Sequence, residues 1–350
     1  MNSYDRVLAA VSHRQPDRPP LQWMAADEVT EALRAHMNAE SKDDLLARLG
    51  VDFREIEPDV RKSQPIPDRI SERWSEEGEI EATCYGVVEV KAAAFPLAHR
   101  VYGPFYETED LDSFDWPSVS DVEGAESLRS RVDRYNEQGY CTLTRCHNPF
   151  KIAYFMRPFE EFLIDCMTRG DYAMELMRRI AEIEFTRALN GVKAGARAAL
   201  ISGDFAHQNA MMISPDMFRK VLKPILADFV SRLKGLNPNA LAFLHSDGDL
   251  FPILGDLIEC GFDAVHPIQP ESMDMMAVKR RYGDRLTLFG GVSVQTELPG
   301  SEPEEIRSIV RQRIRQLGEG GGFFLAPTNA ILSDVPLESI AAMYQEAQAV

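Results

Sequence analysis

The sequence has no long apolar run, no paired cysteines and no excess of positive charge. No stretch approaches the roughly 18 consecutive apolar residues that read as a bilayer span. The amino-terminal MNSYDRVLAAVSHRQPDRPP has neither the apolar centre nor the cleavage site of a signal peptide. A cytoplasmic location without a membrane partner is the expectation. The five cysteines, Cys84, Cys141, Cys146, Cys166 and Cys260, are scattered and odd in number, with no CxxC pair, which points to reduced thiols. With 55 acidic against 38 basic residues the formal charge is -17. A polyanion would be repelled, so nucleic acid is not an expected partner. Internal repeats and low-complexity segments are also missing.

What is present is a series of short apolar runs whose far ends break into polar residues, clearest in the last third: AFLHSDG, AVHPIQP, LTLFGGVSVQ and GGFFLAPTN. Parallel strands buried on both faces read as continuous hydrophobic runs, and barrel enzymes carry their chemistry at the strands' carboxyl ends. Eight such strands can be marked: Leu21–Met24, Asp52–Glu57, Thr142–Cys146, Ala199–Gly203, Leu241–His245, Ala264–Pro267, Leu286–Gly290 and Phe323–Pro327. Eight is the number a closed (β/α)8 TIM barrel needs, and 350 residues with 45% hydrophobic content suit a single such α/β domain.

Apolar periodicity at three and four predicts helices at Glu160–Met167, Ala173–Asn190, Pro215–Leu236, Phe251–Cys260, Met275–Tyr282 and Glu304–Leu317. Ser214-Pro215-Asp216 and Ser301-Glu302-Pro303-Glu304 read as helix starts with proline in the first turn. Between the second and third strands, residues 58–136 form an insertion. It holds the alternating, hairpin-like WSEEGEIEATCYGVVEVKAAAF and the Pro/Asp/Ser-rich DLDSFDWPSVSDVEGAES, and its position over the barrel mouth suits a lid.

The strand ends supply the candidate site residues. His245 and Asp247 flank Ser246 where the fifth strand ends; such a pair can ligate a metal or share a proton, unless Asp247 merely caps the next helix through Gly248. In SGDFAHQ, Asp204 is a candidate general acid or base, and His207 and Gln208 are candidate ligands of substrate oxygens. Loop hydrogen bonds to backbone amides are the structural alternative. His147 ends the third strand beside Cys146, which reads as a small core residue. His266 and Gln269 end the sixth strand, Gly290, Gly291 and Gln295 follow the seventh, and Asn329 ends the eighth. The amides suit orienting a substrate rather than moving its protons. Asp52 is a lone carboxylate in an apolar run, to be explained by catalysis or by an ion pair with an arginine inside the barrel. Arg54, Arg100, Arg145 and Lys151 are the basic residues near the mouth.

Taken with RVLAAVSHRQPDRPP, GVDFREIEP, SGDFAHQNAMMISPDMFRKVLKPIL, HSDG, CGFDAVHPIQP, YGDRLTLFGGVSVQTELP and GGFFLAPTNAILSDVPLESI, the chain resembles the uroporphyrinogen decarboxylase superfamily along nearly its whole length. In that superfamily decarboxylases and corrinoid-linked methyltransferases share a (β/α)8 barrel. The resemblance matches the decarboxylases' catalytic Asp to Asp52. Their tyrosine falls near Tyr154 or Phe155, Asn329 stands in place of their carboxyl-terminal histidine, and PPLQWMAADE has no arginine where they carry an RQAGRY-like loop. An acidic protein without those cations would repel a polycarboxylate tetrapyrrole.

The methyltransferase branch uses a zinc site of a His-x-Cys pair and a later Cys. His245 matches the first ligand, Asp247 stands where the first Cys would be, and no Cys occurs near Pro327–Asn329. A thiolate-rich zinc site is therefore not expected, whereas a harder oxygen and nitrogen site at His245 and Asp247 stays open. The expectation is an enzyme of the divergent branch, transferring or removing a methyl group on a small molecule. Asp204 or His245 would act as acid or base, and any corrinoid would be supplied by a partner protein. Homodimerisation is a further implication of the resemblance. The rival readings are a decarboxylase of uroporphyrinogen or a smaller acid, and a non-catalytic ligand-binding barrel.

Overall fold

The computed structural model describes residues 1–92 and 98–350. Seven parallel strands, β1 (Phe53–Ile56), β2 (Cys141–His147), β3 (Ala198–Ser202), β4 (Leu241–His245), β5 (Ala264–Ile268), β6 (Thr287–Val292) and β7 (Phe323–Pro327), pair in chain order into one curled sheet. This is an α/β fold of the TIM-barrel type. The expected first strand is reduced to a bridge: Pro20 and Gln22 exchange backbone hydrogen bonds with Leu325, and the Leu21 carbonyl accepts the Asp52 N–H at 2.8 Å. Pro19 and Pro20 have no N–H to extend the ladder further back.

Burial on both faces explains the continuous apolar runs. Ala242, Leu244, Val265 and Leu288 pack outward beneath the helices. The alternate positions Leu143, Leu200, Phe243, Ala264, Phe289 and Phe324 fill the inside, where Val7 and Ala10 of the helix Ser3–Val11 pack against them. The register sets His147 opposite Ser202, Ser202 opposite His245 and His245 opposite His266. One row across four strands thus turns polar at the carboxyl end, two residues beyond Leu200, Phe243 and Ala264 and, in β2, beyond Arg145.

Outside, the long helix Gly170–Lys193 lies close on β2, because a Cβ at Gly191 would stand 2.4 Å from Thr144 Oγ1. The helix expected over Pro215–Leu236 is two, Pro215–Val221 and Lys223–Leu236. Pro224 cannot donate to the Lys220 carbonyl and breaks the first turn between them. Ser214 caps the earlier helix, its Oγ accepting the Met217 N–H at 3.2 Å.

Residues 58–136 hold two different structures. The helix Ala125–Glu137 packs Leu128 and Val132 against Ile56 of β1, as the helix following a barrel strand does. Before it lie the helix Asp68–Trp74 and an antiparallel sheet of Gly78–Ala82, Val88–Ala92 and His99–Tyr102. The hairpin expected there is present; the last residues of its alternating run, 93–95, lie outside the described residues. No helix among the described residues is long and apolar enough to cross a membrane.

Candidate functional site

The turn after β4 is built by its neighbours. Gly248 has φ +92°, and a Cβ there would lie 2.5 Å from the His207 carbonyl, so the HSDG turn requires glycine at this point. Ser246 Oγ accepts the Phe205 N–H at 3.0 Å, and Gln269 Oε1 accepts the Gly248 N–H at 3.3 Å. The Asp247 N–H in turn donates to Asp204 Oδ1 at 3.0 Å.

Held this way, Asp204, His245 and Asp247 each offer a donor atom within 4.8 Å of the others. His245 Nε2 is 3.9 Å from Asp247 Oδ1, and that oxygen is buried with no hydrogen-bond partner. Burial and then the neighbouring Asp204 charge push the Asp247 carboxyl up to about 7, against the Asn329 amide that donates to its other oxygen. Burial and then Arg145 and Lys151 push the His245 imidazole down to about 3. A neutral imidazole, two crowded carboxyls and an orphan oxygen form a donor set for a divalent cation. Its donors are oxygen and nitrogen only. Cys146 faces outward into the core, and Cys84 lines a different cavity. The thiolate set of the methyltransferase branch does not fit here; a nitrogen and oxygen set does.

A cavity of about 550 Å³ opens beside the group, lined by Gln22, Glu55, Arg145, His147, Lys151, Ser202, His245 and Asn329. Arg145 pairs with Glu55 at 3.0 Å, and Gln22 donates to the same carboxylate oxygen at 2.9 Å. A second cavity of about 320 Å³ shares His147 and Lys151 and runs beneath the antiparallel sheet to Tyr85, Arg100, Glu184 and Arg187. Glu184 is fully buried and accepts the Tyr85 hydroxyl at 2.8 Å, the His147 N–H at 2.7 Å and Arg187 at 3.1 Å. Burial alone would push its carboxyl up; Arg187 and the His147 hydrogen bonds outweigh burial and hold it at about 2.

The sign of the resulting pH effect follows from that depression. Ionised Glu184 contributes stability that is fully present above the ordinary value of 4.5 and is lost as pH falls through about 2. Glu184→Gln is expected to lower stability at neutral pH by about 3 kcal/mol, an amount shared with Arg187. Urea midpoints between pH 7 and 3 should show a flatter acid decline in the variant than in the parent.

Other expected site residues are placed elsewhere. Asp52 is 0% exposed at the amino end of β1, where Arg6 and Arg18 grip it at 2.5 and 2.7 Å and the Leu21 N–H at 2.8 Å. It is an ion-pair residue, and a catalytic role is set aside because no free lone pair faces the mouth. His266 is 1% exposed behind His245, and Gln269 is 4% exposed, its carbonyl oxygen held by Gly248. Neither presents itself to a substrate. The side chain of His207 is exposed outside both cavities on the short strand Ala206–His207. Gln208 and Gln295 meet each other across the mouth, joined by a side-chain hydrogen bond. His147 and Asn329 do line the main cavity.

Several participants escaped the strand-end criterion. Ser202 is the inward residue at the end of β3, visible once the period-two parity is followed. Glu184 and Arg187 sit on the buried stripe of an amphipathic helix, where a charged i, i+3 pair is itself a signal. Tyr85, Gln22 and Glu55 had none.

The sequence profile of the uroporphyrinogen decarboxylase (URO-D) family matches residues 123–350, from the helix Ala125–Glu137 through β2–β7 and all three donors. A methylcobamide:CoM methyltransferase, MtaA, of Methanosarcina barkeri is 31% identical over 163 residues, 47% of this chain and 44% of the relative. The protein of the same name from the Fusaro strain is 28% identical over 195 residues, 56% of this chain and 54% of the relative. The chain spans about half the length of the curated relatives it matches. A methyltransferase structure from Methanosarcina mazei superposes with a TM-score of 0.71 over 100% of this chain and 99% of that one, at 20% identity, a likeness of fold. With the family's profile running through the sheet and the polar row at its carboxyl end, this chain belongs to the uroporphyrinogen decarboxylase family.

Proposed function

We propose that this protein is a methyltransferase of the corrinoid-linked kind, acting on a small molecule at a divalent-cation site formed by Asp204, His245 and Asp247. The observation that carries the reading is the convergence of these donors around the partnerless Asp247 Oδ1. The similarity to methylcobamide:CoM methyltransferases supports the reaction class. A cation at these donors supplies Lewis acidity, favouring the deprotonated, nucleophilic form of a bound acceptor. His245 serves as a neutral donor rather than as a base, and Asn329 orients Asp247 through its amide. Lys151, 3.9 Å from Asp204, and Arg145 supply positive charge on the cavity side. The corrinoid methyl donor would arrive on a partner protein. Residues 1–350 act as one barrel unit, with the antiparallel sheet of Gly78–Ala82, Val88–Ala92 and His99–Tyr102 as a lid, tethered through Tyr85 to Glu184.

The rival decarboxylation reading leaned on Asp52, whose carboxylate is committed to Arg6 and Arg18. The test is to load the purified protein with Zn2+ or Co2+, measure stoichiometry, and follow demethylation of methylcobalamin with a panel of small thiols that includes coenzyme M. About one ion per chain and thiol-dependent demethylation are expected. Because the Asp247 carboxyl must ionise to bind, cation affinity should rise with pH through about 7. Absence of cation binding, or of demethylation by the loaded protein, would sink the proposal.

A further inference from the structure

Buried behind His245, His266 is well placed to act on its neighbour. The two rings lie end to end and nearly coplanar, with centroids 4.9 Å apart and planes 24° from parallel, and Phe289 meets His266 edge-on at 4.7 Å. His266 Nε2 lies 3.0 Å from the Pro327 carbonyl oxygen. A carbonyl only accepts, so Nε2 carries the proton, and a neutral imidazole then has its lone pair on Nδ1. That nitrogen is 2.6 Å from His245 Nδ1. One proton lies between two hydrogen-bonded nitrogens, and His266 has none to give from Nδ1. His245 Nδ1–H is therefore the donor, and its remaining lone pair sits on Nε2, the atom that faces Asp247 Oδ1. A doubly protonated His266 would reverse this polarity, but the ring is buried beside Phe289 with the Arg145 charge nearby.

We propose that His266 is a positioning residue that fixes His245 in its Nδ1–H form, so that Nε2 is presented as a bare donor toward Asp204 and Asp247. The assignment starts at the Pro327 carbonyl and passes through His266 to the site. Without it, His245 is free to protonate Nε2, the form isolated imidazole side chains favour, and to aim a hydrogen where a lone pair is needed. The proposal rests on the cation-site reading for its purpose, though the tautomer itself can be observed without any ion.

The deciding measurement is long-range 1H–15N correlation on metal-free protein carrying 15N-histidine, with His245 and His266 assigned from single variants. The expected result is protonated Nδ1 with bare Nε2 for His245, and the reverse for His266. Protonated Nε2 on His245 would overturn the proposal whether or not the protein binds a cation. A correct tautomer with no cation bound would instead overturn the function proposed above. Affinity for Co2+ gives the second readout. His266→Phe should weaken binding about 10- to 100-fold, whereas His266→Asn, whose amide oxygen can accept from His245 Nδ1–H, should retain most of it. A packing role predicts the opposite order, because phenylalanine suits the apolar surroundings of Phe289 better than asparagine. If either variant fails to fold, the wild-type spectrum alone decides.

Discussion

Asp52→Ala is expected to destabilise the fold by about 3–5 kcal/mol while leaving the cation site unchanged in the molecules that remain folded. The carboxylate is fully buried and takes four hydrogen bonds from two guanidinium groups, Arg6 at 2.5 Å and Arg18 at 2.7 and 3.3 Å, and from the Leu21 N–H at 2.8 Å. It is the knot that ties residues 1–21 to the amino end of the sheet, since the Asp52 N–H also donates to the Leu21 carbonyl. Truncation leaves Arg18 without its carboxylate and Arg6 with Asp17 as its remaining acidic partner, two largely desolvated cations whose shared counter-charge is gone, which is the severe case among losses of a buried pair. Asp52→Asn retains the shape and one acceptor but not the charge, and should fall between parent and alanine variant. Thermal unfolding and Co2+ titration on the same samples separate the effects. A variant as stable as the parent but without cation affinity would return Asp52 to the catalytic role first considered for it.

Asp247→Asn should do the reverse. Losing one of three donors removes roughly 3 kcal/mol of cation binding, or about 100-fold in affinity. Stability of the metal-free protein should rise. The folded-state value of about 7 lies above the ordinary 3.8, so ionisation is easier in the unfolded chain. The native state therefore loses stability as pH rises through that interval, by an amount on the order of 2 kcal/mol after allowance for partial exposure and screening. The amide has no charge to desolvate and none to set against Asp204, and its oxygen can still accept from Asn329. Urea unfolding of metal-free parent and variant at pH 5 and 8 reads the gain, which should be larger at pH 8. A variant equally tight for the ion, or less stable at pH 8 than at pH 5 by the parental margin, would contradict the site. Such a stability penalty relieved by a loss-of-function change is the signature of residues kept for chemistry.

How much of this could be read from the residues alone depends on range. Strands β2–β7 were legible because two-faced burial writes an uninterrupted apolar run, and period-two parity then carries the interior from Phe243 to His245. The turn residues Asp247 and Gly248 were visible for the same local reason. Leu21–Met24 has the apolar look of a strand yet forms only a bridge, because its partners, Leu325 and Asp52, lie far off in the chain. The helix break before Pro224 has a local cause, yet the apolar periodicity runs on through it and hides it.

The sequence by itself determined the parallel α/β architecture, the end of the sheet that carries the polar row, and that Asp247 rather than a cysteine stands two residues after His245. These follow from burial periodicity and from which side chains exist at all. Only the tertiary structure decided that Asp204 joins His245 and Asp247, that Asp52 serves Arg6 and Arg18, and that His266 stands between Pro327 and His245 rather than in the cavity. Each depends on a partner 21 to 61 residues away. Periodicity tells which way a side chain faces, but its hydrogen-bonding partner is set by strand register and loop approach, which no local pattern encodes.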